Sequence, residues 1–201
     1  SIRGKLDKLD LPVTAKFELS LLYDEMVFLE EKKDKVADEV LLAGRFYEKE
    51  IKILTSVHGV SVFVAIAIIA DIISVERFKN AKAFSSYLRA APKVDSSNQT
   101  TRIGKTNKHS RKLSLGLLVQ SINHFRVSNP IIGNFYNKKK AIKSAGKVRM
   151  AVARKMFVTI YYMLKKEKQY YYVQEENHLR KLKAYKKFLA KNRWIKNYVA
   201  T

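Results

Sequence analysis

The chain contains no cysteine, which excludes a disulfide framework and any zinc site built on thiolates. Its four histidines, His58, His109, His124 and His178, are scattered without metal-ligand spacing. Proline and glycine are scarce, three and seven in 201 residues, so few points are forced to turn. The longest apolar run, Val57 to Ile73, is broken by His58, Gly59, Ser61 and Asp71. It is too short and too polar for a membrane span. No signal pattern precedes it. These absences predict a soluble, cytoplasmic protein with no membrane partner. A GxxxxGK(S/T) phosphate loop and a Rossmann fingerprint are also missing, which argues against two large nucleotide-using enzyme classes.

The scarcity with the widest consequence is negative charge. The net charge is +22 and the isoelectric point is near 10.0. Residues 1–50 carry 9 Lys/Arg against 12 Asp/Glu, a net of −3, while the remainder carries 31 against 6, a net of +25. Between Asp95 and Glu167 there is no acidic residue. Solvated surfaces mix signs. A long stretch of one sign points to phosphates, whose neutralisation releases counterions. Nucleic acid is therefore the expected partner, and an anionic membrane surface is the weaker alternative. The acids of the basic part, Asp71, Glu76, Asp95, Glu167, Glu175 and Glu176, are too scattered for a two-metal nuclease site. No metal or other cofactor is expected on this chain.

What is present reads as all-α. From about Thr14 to Leu54 the chain is rich in Leu, Glu and Lys, with Gly44 as its weak point. A heptad seam runs through Leu22, Met26, Leu29, Val36, Val40, Ala43, Tyr47 and Leu54, interrupted by Lys33 and Glu50. The seam suits a coiled-coil partner and hence a homo-oligomer, or an amphipathic helix packed on its own domain. Residues 53–72 then read as helix, a turn at Gly59-Val60-Ser61, and a helix apolar on nearly all sides. This resembles a helix-hairpin-helix, whose Gly-apolar-Gly turn presents backbone N–H groups to a phosphate, with Ser61 in place of the second glycine. A plain glycine turn between two buried helices fits the same residues.

Further helices are expected over Arg77–Ala91, Leu113–Phe125, 131–140 and Lys147–Lys166, with Ser144-Ala145-Gly146 as a turn. No β-strand pattern is evident. The domains expected are a dimerisation helix at 1–52, a compact helical domain at 53–170, and a basic aromatic tail at 171–201, helical from Glu175 to Lys196.

Between the apolar helices lies Leu88 to Lys112, polar, basic and rich in Ser, Thr and Asn. It reads as a long exposed connection on a rigid scaffold, the usual place for binding and catalytic groups. Ser96 and Ser97 sit there among Lys93, Arg102, Lys105, Lys108 and Arg111. Cations of this kind stabilise charge developing on a phosphate. A serine that attacks a phosphodiester also needs a base, and Asp95 and His109 are the nearest in sequence. A Ser-Ser pair in a basic loop is far more often a plain loop or a simple phosphate contact than a nucleophile.

Four segments together resemble one transposase family. LTSVHGV at 54–60 is similar to L-x-S-I-P-G-I. RFKNAKAFSSYLRAAP at 77–92 is similar to R-F-x-x-A-x-x-x-A-x-x-x-G-L-x-P. Ser96-Ser97 is similar to a serine–glycine signature five residues past that proline. ARKMFVTIYYMLKK at 153–166, preceded by Gly146-Lys147-Val148, is similar to a closing G-K-V…A-x-R-K-L helix. The resemblance, covering roughly residues 50–170, is to the C-terminal transposase domain of the insertion-sequence-one-ten family. That family contains the Piv DNA invertase and the bridge-RNA-guided recombinases.

The resemblance implies DNA transposition, with Ser97, counted from Pro92, as the nucleophile. With the basic residues read above, nucleic-acid contacts are expected at Gly59, Lys93, Arg102, Lys105, Lys108, Arg111, Lys147, Arg154 and Lys155. It further implies a structured guide RNA, and a divalent metal held by an N-terminal RuvC-like domain. Residues 1–50 do not resemble that domain; they resemble the family's dimerising connector. The chain is thus expected to be a transposase segment that follows its metal-binding domain, prokaryotic and nucleoid-associated. Asn98 stands where the family has a glycine after the nucleophile, and Ala90 where one is expected two residues before Pro92. A non-catalytic nucleic-acid-binding module is the alternative function.

Overall fold

The computed structural model describes residue 4 and residues 10–90, 92–97, 100–106 and 113–192, with 92–97 and 100–106 described by their backbone. The chain divides into two units at Leu42 and Ala43. The first unit is dominated by helix α1 (Val13–Ala43). Its seam residues Leu22, Met26, Leu29 and Val36 are exposed, as are the neighbouring Leu21 and Phe28. The helix therefore presents an apolar stripe to solvent. At Gly44 the α-helix gives way to a 3-10 turn, Gly44–Tyr47, so the long helix expected to Leu54 ends where its glycine stands. A Cβ at Gly44 would run into the Ile66 and Tyr185 side chains. The residue is small because two elements close on its backbone.

The second unit is built around two helices, α3 (Val62–Ile72) and α8 (Ala145–Lys165). Eight of the eleven residues of α3 are buried, which its nearly continuous apolar sequence requires. α2 (Glu48–Thr55) precedes it and α4 (Ala81–Tyr87) follows it. The expected helix from Arg77 is shorter, because Val75–Arg77 form a 3-10 turn and Asn80 caps α4 by accepting from Ala83 N.

A two-stranded antiparallel hairpin comes next, β1 (Pro92–Ser97) and β2 (Thr100–Thr106). It corrects the expectation of no strand, and it is a minor addition to an all-α architecture. The segment Thr100-Thr101-Arg102-Ile103 is β-branched enough to pair, but it lacks the alternation that burial of one face would impose.

Helices α5 (Leu113–Gln120) and α6 (Ile122–Ser128) follow, broken at Ser121 where one helix was expected. α7 (Pro130–Lys140) is capped by Asn129 Oδ1, which accepts from Ile131 N and Ile132 N, with Pro130 at the first helical position. α8 then starts at Ala145, so of the residues read as a turn Ser144 is its N-cap and Ala145 and Gly146 are its first residues. Of its expected stripe, Val148, Val152, Met156, Ile160 and Met163 are buried and Ala151 is half-buried, with Ala153, Phe157 and Leu164 added to the buried set. α4, α7, α2, α5 and α6 all pack on it. At ~1.5–3 kcal/mol for each fully buried large side chain, this helix anchors the unit.

The last described helix, α9 (Glu175–Lys191), packs back on α2 and α3. Its buried residues are His178 and Tyr185. Among the described residues, no helix is long and apolar enough to cross a membrane.

Candidate nucleic-acid interface

The first feature is the turn between α2 and α3. Leu54, Val57 and Val60 are fully buried and hold it against the core. Val60 N donates to Val57 O at 3.1 Å, which tightens the turn. Gly59 has φ of 87°, and an added Cβ would lie 2.7 Å from His124 Cβ. Glycine is therefore demanded twice, by the backbone and by the neighbour. Ser61 caps α3, its Oγ accepting from Val64 N at 3.2 Å. In this sequence the turn's third residue serves as a helix cap, which accounts for serine there.

The carbonyl side of the turn is taken by a residue the sequence did not single out. Lys181 of α9 donates from Nζ to the carbonyl oxygens of Thr55 at 2.9 Å, Val57 at 3.2 Å and Val60 at 2.9 Å. Burial, and then the charge of Arg180, push its pKa down to about 8. One turn earlier, His178 Nε2 meets Lys52 O at 2.9 Å. A cation thus closes the carbonyl face of the hairpin, and a phosphate reaching this turn would be met by amide groups instead. The signal was present in His178, Lys181 and Tyr185, spaced by three and four. The charge of the surrounding lysines masked it.

Beside Gly59, the His58 ring stands edge-on to His124 with centroids 5.6 Å apart. Its Nδ1 is buried with no hydrogen-bond partner. Burial, then Lys181 and His124, hold its pKa below the ordinary value. No group of three or more His, Asp or Glu side chains that could hold a metal occurs among the described residues.

The second feature is the hairpin and its roots. α4 ends in a six-residue Schellman turn: Ala90 N donates to Ser85 O at 2.9 Å, and Arg89 N to Ser86 O at 3.0 Å. The left-handed residue of that turn is Arg89, with φ of 61°. This corrects the position assigned to the missing glycine. The conformation that wants glycine falls on Arg89, three residues before Pro92, and Ala90 is ordinary buried core. The other root is held by Asp71, whose carboxylate accepts from Ser114 N at 3.0 Å and from Ser114 Oγ. Both ends of the basic connection are thereby fixed to the core.

In the hairpin, Ser97 pairs with Thr100, Ser96 with Thr101, Asp95 with Arg102 and Val94 with Ile103, with an irregularity between Pro92 and Val94. Ser97 is the last residue of β1, beside the tip. By register it shares a face with Asp95, Thr100 and Arg102, and Ser96 falls on the other face. Lys93 lies at the irregularity and Lys105 in β2. Asn98, Lys108, His109 and Arg111 lie outside the described residues.

The third feature is the outer side of α8. Lys147 is exposed in its first turn and lines a small pocket with Lys139 and Lys143. Arg154 and Lys155 line a separate groove of about 800 Å³, shared with Lys166, Lys168, Tyr162 and Tyr171. Lys155 Nζ lies 4.6 Å from the centroid of the Phe135 ring. The described nucleic-acid residues named from sequence therefore divide among the glycine turn (Gly59), the hairpin (Lys93, Arg102, Lys105), the first turn of α8 (Lys147) and the α8 groove (Arg154, Lys155). The tyrosines of the groove were not among them.

Residues 51–137, running from α2 into α7, match the model of a family described as Transposase IS116/IS110/IS902 family. No curated protein matches the chain.

Proposed function

From residues 51–137 as a transposase domain of the IS116/IS110/IS902 type, we propose that this chain supplies the serine nucleophile to a composite DNA-recombination site. DNA transposition or recombination is the general activity of such a domain. The nucleophile assigned here is Ser97. Its Oγ attacks a DNA phosphorus and forms a phosphoserine ester. The bond from phosphorus to the leaving deoxyribose oxygen breaks, and that oxygen takes up a proton. The serine's own proton passes to a base, for which the candidate is Asp95, two residues earlier on β1 and on the same register face. One phosphate ester replaces another, so the linkage is conserved for religation.

The observation that supports this reading most is the register of the hairpin. It sets Ser97 at the end of β1 in a two-stranded arm, on the same face as Arg102, and the arm follows the Arg89 turn that closes α4. An arm with a serine near its end fits delivery of a nucleophile to a duplex backbone. Arg102, Lys105 and Lys108 are assigned to the phosphates, and Gly59 to a backbone contact through the helix-hairpin-helix turn.

The divalent metal of the reaction fits no group of described residues. It is assigned to carboxylates of a RuvC-like domain supplied by another polypeptide segment, together with a structured guide RNA. The exposed stripe of α1 (Leu22, Met26, Leu29, Val36) is assigned to homo-oligomerisation.

The test is a covalent adduct assay with the metal-binding domain supplied. A protein–DNA adduct that resists denaturant and disappears in Ser97→Ala, while DNA binding is retained, supports the reading. Absence of any adduct, with salt-sensitive binding intact, sinks the nucleophile. It leaves the non-catalytic nucleic-acid-binding module, the reading that Asn98 after the serine favours.

A further inference from the structure

The groove on the outer side of α8 combines two properties that the recombination chemistry above does not use. Its charge has one sign: Arg154, Lys155, Lys166 and Lys168 line it, and no acidic residue does. It also offers aromatic faces. Tyr162 is 50% exposed and Tyr171 is 88% exposed. Tyrosine rings exposed by half or more beside four cations have no evident packing role. They are costly to display and are usually found where a planar partner covers them.

The tyrosines are held in place rather than displayed on a loose loop. α8 ends in a Schellman turn, with Lys168 N donating to Met163 O at 3.0 Å and Glu167 N to Leu164 O at 3.2 Å. Glu167 takes the left-handed position, φ 52°, and its carboxylate is paired with Lys49 at 2.6 Å. Tyr170 is buried, its backbone N donating to Ser56 Oγ at 2.8 Å and its hydroxyl accepting from Asn129 Nδ2. From that anchor the rings step outwards. Tyr172 lies edge-on to Tyr170 at 6.0 Å, and Tyr171 edge-on to Tyr172 at 5.0 Å with an interplanar angle of 84°. The contact supports the Tyr171 ring, which stays largely exposed. Tyr161 supports Tyr162 in a T-shaped contact at 5.3 Å, and Lys166 Nζ lies over the Tyr162 ring, 5.8 Å from its centroid.

We propose that this groove binds an unpaired single strand of DNA, with bases stacked on Tyr171 and Tyr162 and the backbone tracked by Arg154, Lys155, Lys166 and Lys168. Stacking platforms interleaved with cations are what single-strand recognition needs, because every base offers a π-face and every linkage a charge. A duplex hides its base faces and could use only the cations. The inference rests on the DNA reading above and deepens it: a recombining duplex that is opened exposes a strand that must be kept from re-pairing. Lys155 is already drawn over the Phe135 ring, so its charge is positioned along the groove before any ligand arrives.

The test uses the 201-residue chain, a labelled twelve-nucleotide thymidine strand, the matching duplex and the matching uridine strand, read by fluorescence anisotropy. The double variant Tyr162→Ala/Tyr171→Ala is expected to lose about tenfold or more in affinity for the thymidine strand, with duplex affinity unchanged. Tyr171→Phe, which keeps the ring, is expected to bind as the unaltered chain does. Equal losses for strand and duplex would overturn the stacking role, and so would no loss at all. A clear preference for the uridine strand would overturn DNA as the occupant. The Ser97→Ala adduct assay is independent of these tyrosines. Stacking can therefore fail while the nucleophile stands, or the reverse, and failure to bind any DNA sinks both.

Discussion

Asp71, near the end of α3, accepts hydrogen bonds from both the backbone N and the Oγ of Ser114, across forty-three residues of chain. Ser114 Oγ also lies 3.2 Å from Ala67 O. Both residues are buried. The basic connection of 88–112 is thereby pinned where it re-enters the core. Asp71→Ala leaves the buried Ser114 N without its acceptor and Ser114 Oγ with Ala67 O alone, and a loss of about 1–3 kcal/mol of unfolding free energy is expected. Asp71→Asn keeps one carbonyl oxygen and is expected to lose less. Denaturant unfolding of the three proteins checks the order, and equal stability of all three would refute it.

Two glycines make a contrasting pair. Gly59→Ala forces a side chain into φ 87° and towards His124 Cβ at 2.7 Å. It is expected to cost at least about 2 kcal/mol and to weaken any phosphate contact at the turn. Gly146 lies in the first turn of α8, with nothing within 4 Å of an added Cβ. Gly146→Ala is expected to be neutral or stabilising by up to about 1 kcal/mol, since it removes freedom from the unfolded chain. Thermal melting of the two variants side by side checks the difference in sign.

Much of this contrast was legible in the sequence and part was not. A nearly continuous apolar run located α3, and apolar periodicity located the stripe of α8, because burial of a helix face writes itself every three to four residues. Gly44 and Gly59 were legible as interruptions in otherwise helical sequence. The hairpin was not, since a ribbon without a buried face carries no alternation and its polar residues read as loop. The left-handed turn at Arg89 was legible only through the quoted motif, whose glycine stands three residues before its proline; the residue itself carries no local signature once glycine is replaced. Lys181 and the tyrosine groove were hidden for a different reason. Their roles depend on which way α9 and the segment 166–172 fold back, and that is a long-range property.

Arg89 offers a test of the corrected glycine position. It sits at φ 61° with its Nε buried and without a hydrogen-bond partner. Arg89→Gly removes both the steric strain and the unpaired donor. A gain of about 0.5–1 kcal/mol is expected, although the guanidinium's apolar packing is lost with it. Ala90→Gly at the neighbouring site is expected to destabilise, because Ala90 is buried and its methyl group is packed. Denaturation midpoints of the two variants should move in opposite directions, and a parallel shift would place the glycine position elsewhere.

Lys181 ties the helical hairpin to pH. Its ammonium serves three carbonyls of the turn, so Lys181→Met is expected to cost about 1–3 kcal/mol at pH 7 by leaving acceptors unsatisfied. The titration adds a second, separable signature. The folded pKa is about 8, below the ordinary 10.5, because burial disfavours the charge. Below pH 8 both the folded and unfolded chains hold the proton, and the desolvation cost is constant. As pH rises from about 8 towards 10.5, the folded chain releases its proton while the unfolded chain keeps it. The contribution of this group to stability therefore rises through that window. Tyr185, pushed up to about 12 chiefly by burial, acts in the opposite sense above pH 10, so the useful range is pH 8–10. Over it, the stability of the unaltered chain relative to Lys181→Met is expected to increase, because the variant lacks the titrating group and shares every other one. Urea unfolding of both proteins at half-unit pH intervals measures this difference. A difference that stays flat would show that Lys181 remains charged against its three carbonyls throughout the range.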